Sequence, residues 1–149
     1  MTNDVPFPAE TIMQTLSRFM FLAALTVMSV AQAAPRDDIL AAYAAQAKAG
    51  DAAFAGVSAV RGEALHRDRH AGGKADSPSC TSCHGENTRA AGRTPVGKTI
   101  DPVAVSVAPT RYTDAAKVEK WFRRNCREVL GRECSAREKG DWLAFMITQ

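Results

Sequence analysis

The organising feature of the chain is Cys80-Thr81-Ser82-Cys83-His84, in which a histidine directly follows the second of two closely spaced cysteines. This is the C-x-x-C-H pattern of covalent haem attachment. Two thiols at this spacing add across the two vinyl groups of a porphyrin, and the histidine is delivered to the iron. A thioredoxin-like pair would need a βαβ setting, and a zinc site would need two more ligands at short spacing. The motif therefore predicts one haem c held by Cys80 and Cys83, with His84 as the proximal iron ligand.

The N-terminal segment indicates export. A largely apolar run over residues 19–31 follows Arg18, and Ala31-Gln32-Ala33 provides an A-x-A cleavage site. The run is shorter than the roughly 20 residues that span a bilayer as a helix. We therefore predict a signal peptide over residues 1–33, export to the periplasm, and no stable membrane anchor after cleavage, with an uncleaved anchor as the alternative. Residues 1–12 are acidic and proline-containing, so the true start is either Met1 or Met13.

The composition of residues 34–149 indicates that something other than aliphatic side chains fills the interior. Leu, Ile, Val and Phe together number 18 of these 116 residues, which is below the roughly 20% at which a packed core becomes doubtful. The net charge of the whole chain is only +3, which argues against disorder and does not imply binding to nucleic acid. Disulfides or a large apolar cofactor must then supply the missing burial.

Helices and loops dominate the predicted secondary structure, with no convincing strand. Apolar periodicity predicts helices over residues 36–49 and 51–66, a third from a Thr113 N-cap to Gly131, and a fourth from a Ser135-x-x-Glu138 capping box to the C-terminus. Residues 85–112 are predicted to form an irregular loop. The attachment motif lies between the second and third helices. We therefore predict an all-α, class I cytochrome c-like fold, with about four helices around one covalently bound haem in a single mono-haem domain over residues 34–149.

The residues themselves leave the sixth iron ligand open. Residues 34–149 contain one methionine, Met146, and its position on an apolar helix face beside Phe145 favours a core role. His66 and His70 lie shortly before the attachment motif at i,i+4 spacing. We interpret them as a solvated helix end, with distal ligation or a surface metal pair as the alternatives.

A second cysteine pair, Cys126 and Cys134, is separated by eight positions and flanks the predicted helix end at Gly131. In an oxidising compartment a disulfide is the default for such a pair. A structural staple is the simpler interpretation. The functional hypothesis is that the bridge fixes the rotation of the helical turn that carries Asn125.

The chain resembles the sphaeroides haem protein family of high-spin, oxygen-binding c-type cytochromes. The resemblance covers nearly all of the mature chain and rests on four stretches: residues 80–85, 97–100, 117–126 and 131–134. It implies that Asn125 is the distal iron ligand in the ferric state and that Cys126 and Cys134 form a disulfide. The chain departs from the family pattern at His66, where an aromatic or aliphatic residue is expected, and in the loop over residues 103–108.

An asparagine ligand makes physical sense as a weak one. A neutral, hard amide holds ferric iron better than the softer ferrous iron, so reduction should loosen it. The vacated position would accept oxygen, nitric oxide or a peroxide beside an amide that can donate a hydrogen bond.

Two function classes follow. The first is a redox protein that accepts electrons from a partner cytochrome, such as a dihaem cytochrome c or a membrane cytochrome b, and binds a small diatomic ligand; whether it also reduces that ligand as an enzyme stays open. The alternative is a plain periplasmic electron carrier without ligand chemistry. Five basic residues could dock an acidic partner by electrostatic steering, although a solvated helix face is the simpler interpretation: Lys120, Arg123, Arg124, Arg127 and Arg132.

Overall fold

The computed structural model describes residues 35–149, so the predicted signal peptide and its cleavage site lie outside the described residues. Five helices and one antiparallel pair of short strands make up this part of the chain. In chain order they are α1 (Pro35–Gly50), α2 (Ala59–Arg67), α3 (Thr81–His84), β1 (Gly92–Arg93), β2 (Thr99–Ile100), α4 (Ala115–Leu130) and α5 (Ala136–Thr148). None of the helices in residues 35–149 is both long and apolar enough to cross a membrane.

The all-α prediction is confirmed, with local corrections. Residues 51–58 are not helical: α2 begins only after Ser58, whose side chain accepts a hydrogen bond from the Arg61 backbone N–H as an N-cap. Asp114, not Thr113, caps α4. The loop over residues 85–112 contains the β1–β2 pair, in which Gly92 lies opposite Ile100. The prediction of no strand was wrong because two-residue strands carry no detectable apolar alternation.

The crossing of α2 and α5 organises the core. Gly62 permits it, because a Cβ atom at this position would lie 1.9 Å from the backbone carbonyl oxygen of Asp141. Asp141 is buried, with 3% of the residue exposed. It accepts hydrogen bonds from the Ser58 backbone N–H at 2.6 Å and from the Arg61 guanidinium at 2.6 and 2.8 Å. A bidentate, charge-assisted pair therefore fastens the start of α2 to α5.

Aromatic side chains supply much of the packing that the few aliphatic residues cannot. Phe122 and Trp142 meet edge to face with ring centroids 5.5 Å apart, and Tyr43 packs on Phe122 in the same way at 5.9 Å. Such pairs contribute roughly 0.5–1.5 kcal/mol beyond their buried area. Met146 is fully buried in a cluster with Val103 and Phe145, as predicted for a core residue.

The turn between α4 and α5 matches the local sequence. Gly131 adopts the left-handed conformation, with φ 71°, directly after the last residue of α4. The Ser135–Glu138 capping box is present at the start of α5. The Arg132 guanidinium binds Glu138 and, as the largest cause, lowers the pKa of that carboxyl to about 2.

Candidate haem site

The attachment motif forms one tight helical turn. The backbone N–H groups of Cys83 and His84 both donate to the Cys80 carbonyl, at 3.3 and 3.0 Å, and Gly85 ends the turn with φ 70°. A hydrogen bond between the Ser79 and Thr81 hydroxyls, at 2.7 Å, fixes the entry to this turn. Because residues i and i+3 share one side of a helical turn, Cys80 and Cys83 present their thiols to the same side.

The electrostatic environment of the two thiols does not fit a redox-active pair. Burial raises the pKa of Cys80 to about 12. The pKa of Cys83 is also raised, first by burial and then by the carboxylates of Glu128 and Asp76. Redox-active C-x-x-C motifs instead depress a thiol pKa to stabilise the thiolate. The raised thiol pKa values therefore argue against a thioredoxin-like role for this pair.

His84 has the properties of an iron ligand. Burial, followed by electrostatic interactions with His66 and Arg111, lowers the pKa of its imidazole to about 4. The ring is consequently neutral at pH 7, which is the form that binds metals. A neutral imidazole beside two unbridged thiols on a single turn is a donor set that fits covalently bound haem.

The C-terminal end of α4 packs against the segment that leads into the attachment turn. The Lys74 backbone N–H donates to the Glu128 carbonyl at 2.7 Å, and the Lys74 ammonium pairs with the Glu128 carboxylate at 2.9 Å. A Cβ atom at Gly73 would lie 2.3 Å from the same carbonyl oxygen. Asn125, the predicted distal ligand, is half-buried and lies one helical turn before Glu128 on α4.

The second cysteine pair lies at the same end of α4. The sulfur atoms of Cys126 and Cys134 are at bonding distance and their Cα atoms are 5.6 Å apart, within the range that a disulfide requires. Both residues are buried. Asn125 therefore directly precedes Cys126, which is linked through Cys134 to the start of α5.

The burial of His66 contradicts the interpretation of His66 and His70 as a solvated helix end. Its side chain is 0% exposed, and its Nδ1 accepts a hydrogen bond from the Trp142 indole at 3.2 Å. His70 is half-buried, with its Nε2 2.9 Å from the Leu65 carbonyl oxygen. The signal that reveals the burial of His66 is its i+4 spacing from Gly62, which places both residues on the face of α2 that meets α5.

The predicted basic surface on α4 is smaller than its sequence indicates. Arg127 pairs with Glu133 at 2.8 Å, and Arg132 pairs with Glu138. The Arg124 guanidinium stacks over the Trp121 ring, 5.7 Å from its centroid, and Trp121 is 45% exposed. Trp121 and Arg124 therefore form an exposed aromatic–arginine pair on α4.

The helical fold and the C-x-x-C-H turn with its neutral histidine define a c-type cytochrome. The family described as "Domain of unknown function (DUF1924)" matches residues 52–146. The chain is 44% identical over 135 residues to the cytochrome c-type protein SHP of Cereibacter sphaeroides, covering 90% of this chain and 100% of that protein. It therefore belongs to the sphaeroides haem protein family, and it carries covalently bound haem c.

Solved structures and a second relative agree with this assignment. The structure of oxidized SHP, described as an oxygen-binding cytochrome c, matches with a TM-score of 0.71 and 46% identity, covering 76% of this chain and 96% of that one. Oxidized cytochrome c'' from Methylophilus methylotrophus matches with a TM-score of 0.68 and 28% identity, covering 77% and 94%. In sequence, cytochrome c'' is 40% identical over 72 residues, or 48% of this chain and 50% of that protein. The class I-like all-α fold predicted from the sequence is thus confirmed.

Proposed function

We propose that this protein is a periplasmic mono-haem cytochrome that accepts electrons from a partner cytochrome and binds a small diatomic ligand, oxygen or nitric oxide. Cys80 and Cys83 hold the haem, His84 is the proximal ligand, and Asn125 is the distal ligand in the ferric state. The bound haem supplies an iron that changes oxidation state and coordinates the ligand. The observation that carries this proposal is that half-buried Asn125 lies one helical turn before Glu128, which bonds to Lys74 in the segment that leads into the attachment turn.

Met146 and His66 have interactions that disfavour them as distal iron ligands. Met146 is fully buried among Val103 and Phe145. The Nδ1 of His66 accepts from the Trp142 indole, so a neutral His66 ring carries its hydrogen on Nε2 and has no free nitrogen lone pair for iron. Asn125 has neither constraint. Its neutral amide binds iron weakly, leaves most readily from ferrous iron, and then offers an N–H donor to an incoming ligand.

The fixed end of α4 gives Asn125 a defined orientation. We include in the proposal that Cys126 and Cys134 are disulfide-bonded in the exported protein, after removal of residues 1–33. The bridge then limits rotation of the turn beside Asn125, so the amide can leave and return without displacement of the whole helix. The oxygen-binding description of the related SHP structure supports the same ligand class here.

The basic surface that contains Trp121 and Arg124 supports docking of an acidic electron donor. Opposite charges steer such encounters and raise association rates more than they raise affinity. Raising the ionic strength should therefore slow reduction by an acidic donor cytochrome. A plain electron carrier would show the same salt effect, so ligand binding decides between the two functions.

Absorption spectra of ferric, ferrous and carbon monoxide-treated holoprotein test the proposal. The ferrous iron should be high-spin and bind carbon monoxide without waiting for a strong ligand to dissociate. Asn125→His should give a low-spin, six-coordinate ferrous iron with slow ligand uptake, because imidazole binds both oxidation states well. Asn125→Ala should change the ferric spectrum and weaken retention of oxygen.

Asn87→Ala is the matched control, because Asn87 is exposed and its side chain accepts a hydrogen bond only two residues along the chain, from the Arg89 N–H. It should leave all three spectra unchanged. Wild-type ferrous protein that is low-spin and inert to carbon monoxide would replace this proposal with the plain electron-carrier function.

A further inference from the structure

A series of aromatic rings leads from the attachment turn through the core to α1. The ring centroids of His84 and His66 are 6.3 Å apart, and those of His66 and Trp142 are 6.2 Å apart. Phe122 follows at 5.5 Å from Trp142, and Tyr43 at 5.9 Å from Phe122. All four spacings fall within the roughly 4.5–7 Å that is typical of aromatic rings in contact. Because electron tunnelling is fast between rings in contact, this series connects the proximal ligand to Tyr43.

Trp142 and Tyr43 are the members of this series that one-electron oxidation can reach. Indole and phenol rings lose an electron far more readily than the rings of phenylalanine and neutral histidine do. A tyrosine is oxidised at a moderate potential only if its phenolic proton leaves with the electron, because the cation radical of a phenol is a very strong acid. A redox-active tyrosine therefore needs a base that is hydrogen-bonded to its hydroxyl.

Tyr43 has such a base. Its hydroxyl donates to the Glu119 carboxylate at 2.6 Å, and only 3% of Tyr43 is exposed. The Lys139 ammonium bonds the same carboxylate at 2.8 and 3.1 Å and keeps it in the ionised form that accepts a proton. The Glu119 side chain is 38% exposed, so its proton can exchange with water.

Tyr112 provides a comparison within the same protein. Its ring meets Trp142 directly, edge to face at 5.8 Å, so it lies one ring contact nearer to His84 than Tyr43 does. Its hydroxyl donates to the backbone carbonyl of Val103 at 2.8 Å. A backbone carbonyl accepts a hydrogen bond but is not a base that takes up the proton. The two tyrosines therefore differ in their proton acceptor, although both are connected to Trp142.

We propose that Tyr43 is a redox-active residue that supplies an electron, through Phe122 and Trp142, when a peroxide oxidises the holoprotein. Cleavage of the O–O bond of hydrogen peroxide takes up two electrons, one from the haem and one from Tyr43, and solvent supplies the two protons that turn its oxygens into two waters. The phenolic proton of Tyr43 moves to the Glu119 carboxylate, which leaves a neutral tyrosyl radical beside a carboxylic acid. Two electrons from the donor cytochrome restore the haem and Tyr43, and Glu119 returns its proton. This inference rests on the proposed ligation by His84 and on the distal site that the proposed function opens to small ligands.

Electron paramagnetic resonance tests the proposal on ferric holoprotein that is frozen shortly after mixing with hydrogen peroxide. The sequence contains two tyrosines, Tyr43 and Tyr112, so a tyrosyl signal has two candidate origins. Growth on ring-deuterated tyrosine should narrow a tyrosyl signal and leave a tryptophan radical unchanged. We expect a tyrosyl signal in wild type and in Tyr112→Phe. The signal should be lost in Tyr43→Phe, which keeps the ring and removes only the hydroxyl.

Glu119→Gln tests the proton acceptor, because the glutamine oxygen accepts a hydrogen bond but does not take up the proton. The tyrosyl signal should fall, while the ferric absorption spectrum before peroxide is added stays that of wild type. Glu138→Gln is the matched control, because Glu138 pairs with Arg132 and should leave the radical signal unchanged. An equal signal in Glu119→Gln and wild type would overturn the role of Glu119 as the base.

The outcomes separate this inference from the proposed function. A tyrosyl signal that persists in Tyr43→Phe and disappears in Tyr112→Phe would overturn the assignment to Tyr43, as would a signal that deuteration leaves unchanged. A wild-type haem absorption spectrum that changes with peroxide while no organic radical forms would overturn this inference alone. A haem spectrum that peroxide leaves unchanged would overturn the small-ligand site of the proposed function and, with it, this inference.

Discussion

The α2–α5 crossing and the exposed face of α4 differ sharply in how firmly they are held. At the crossing, His66 and Leu143 are fully buried, and Asp141 is 3% exposed with its carboxylate bonded to backbone and guanidinium. On α4, Trp121 is 45% exposed and Asn125 is half-buried. The first region is set by interlocking packing, whereas the second depends on one helix and the bonds at its end.

Under the proposed function, this difference suits the two sides of a haem that exchanges one ligand. A strong proximal bond benefits from a rigid core behind His84, where reorientation of the imidazole would disturb buried contacts. A weak distal ligand benefits from a region with fewer buried contacts, because local motions there cost less free energy. The same contrast predicts where substitutions alter stability and where they alter the spectrum of the iron.

The largest effect is expected at Gly62. Gly62→Ala places a methyl group against the Asp141 carbonyl, so α2 and α5 must separate, and the free energy of unfolding should fall by about 3 kcal/mol or more. Denaturant unfolding of the holoprotein measures this. Gly50→Ala is the control, because a Cβ atom at that helical position meets nothing within 4 Å. Equal stability of the two variants would mean that the crossing is not close-packed.

Removal of the buried carboxylate should have the next largest effect. Asp141→Ala leaves the Ser58 N–H unsatisfied and removes the partner of Arg61, which should cost about 3 kcal/mol. Arg137→Ala removes a longer, exposed contact to the same carboxylate, 3.9 Å away, and should change the stability by less than about 0.5 kcal/mol. If both variants lose the same stability, the buried bonds of Asp141 to Ser58 and Arg61 stabilise the crossing no more than the exposed contact with Arg137 does.

Loss of the cysteine bridge should affect both stability and the iron. In the chain-entropy model, closing a loop of this length contributes roughly 2.5 kcal/mol, so Cys126→Ala with Cys134→Ala should lower the thermal transition of the holoprotein. The ferric spectrum should also change, because Asn125 loses its fixed neighbour. The mass of the wild-type protein should increase by two hydrogens on reduction. A destabilised variant with an unchanged ferric spectrum would mean that the disulfide stabilises the fold without positioning Asn125.

The smallest effect is expected at the Arg132–Glu138 pair. The folded-state pKa of Glu138 is depressed to about 2 from 4.5, so its contribution is complete above pH 4.5 and disappears as the pH falls towards 2. Because Arg132 is largely exposed, solvent screening reduces this contribution to about 1 kcal/mol. Glu138→Gln should therefore lose about that stability at pH 7 and match wild type only below about pH 2. A stability difference that is independent of pH would contradict the ionic origin.

Local chemistry made several features predictable. The spacing of Cys80, Cys83 and His84 is a property of three neighbouring side chains, and the turn that presents them needs no distant contact. The Ser135–Glu138 capping box and the left-handed Gly131 are likewise local. The core role of Met146 is confirmed by its packing, and it was predictable because Met146 lies on the apolar face of a helix with a regular apolar repeat.

The sequence by itself determined the helical class, the covalent haem and the turn between the last two helices, because each depends on residues within one turn of one another. Only the tertiary structure decided that His66 is buried beside His84, that Asp141 fastens α2 to α5, and that α4 ends against the attachment segment. These outcomes depend on which helix faces meet and how closely. The approach of two backbones at Gly62 is set by residues that lie about 80 positions apart in the chain, a distance at which helical periodicity carries no information.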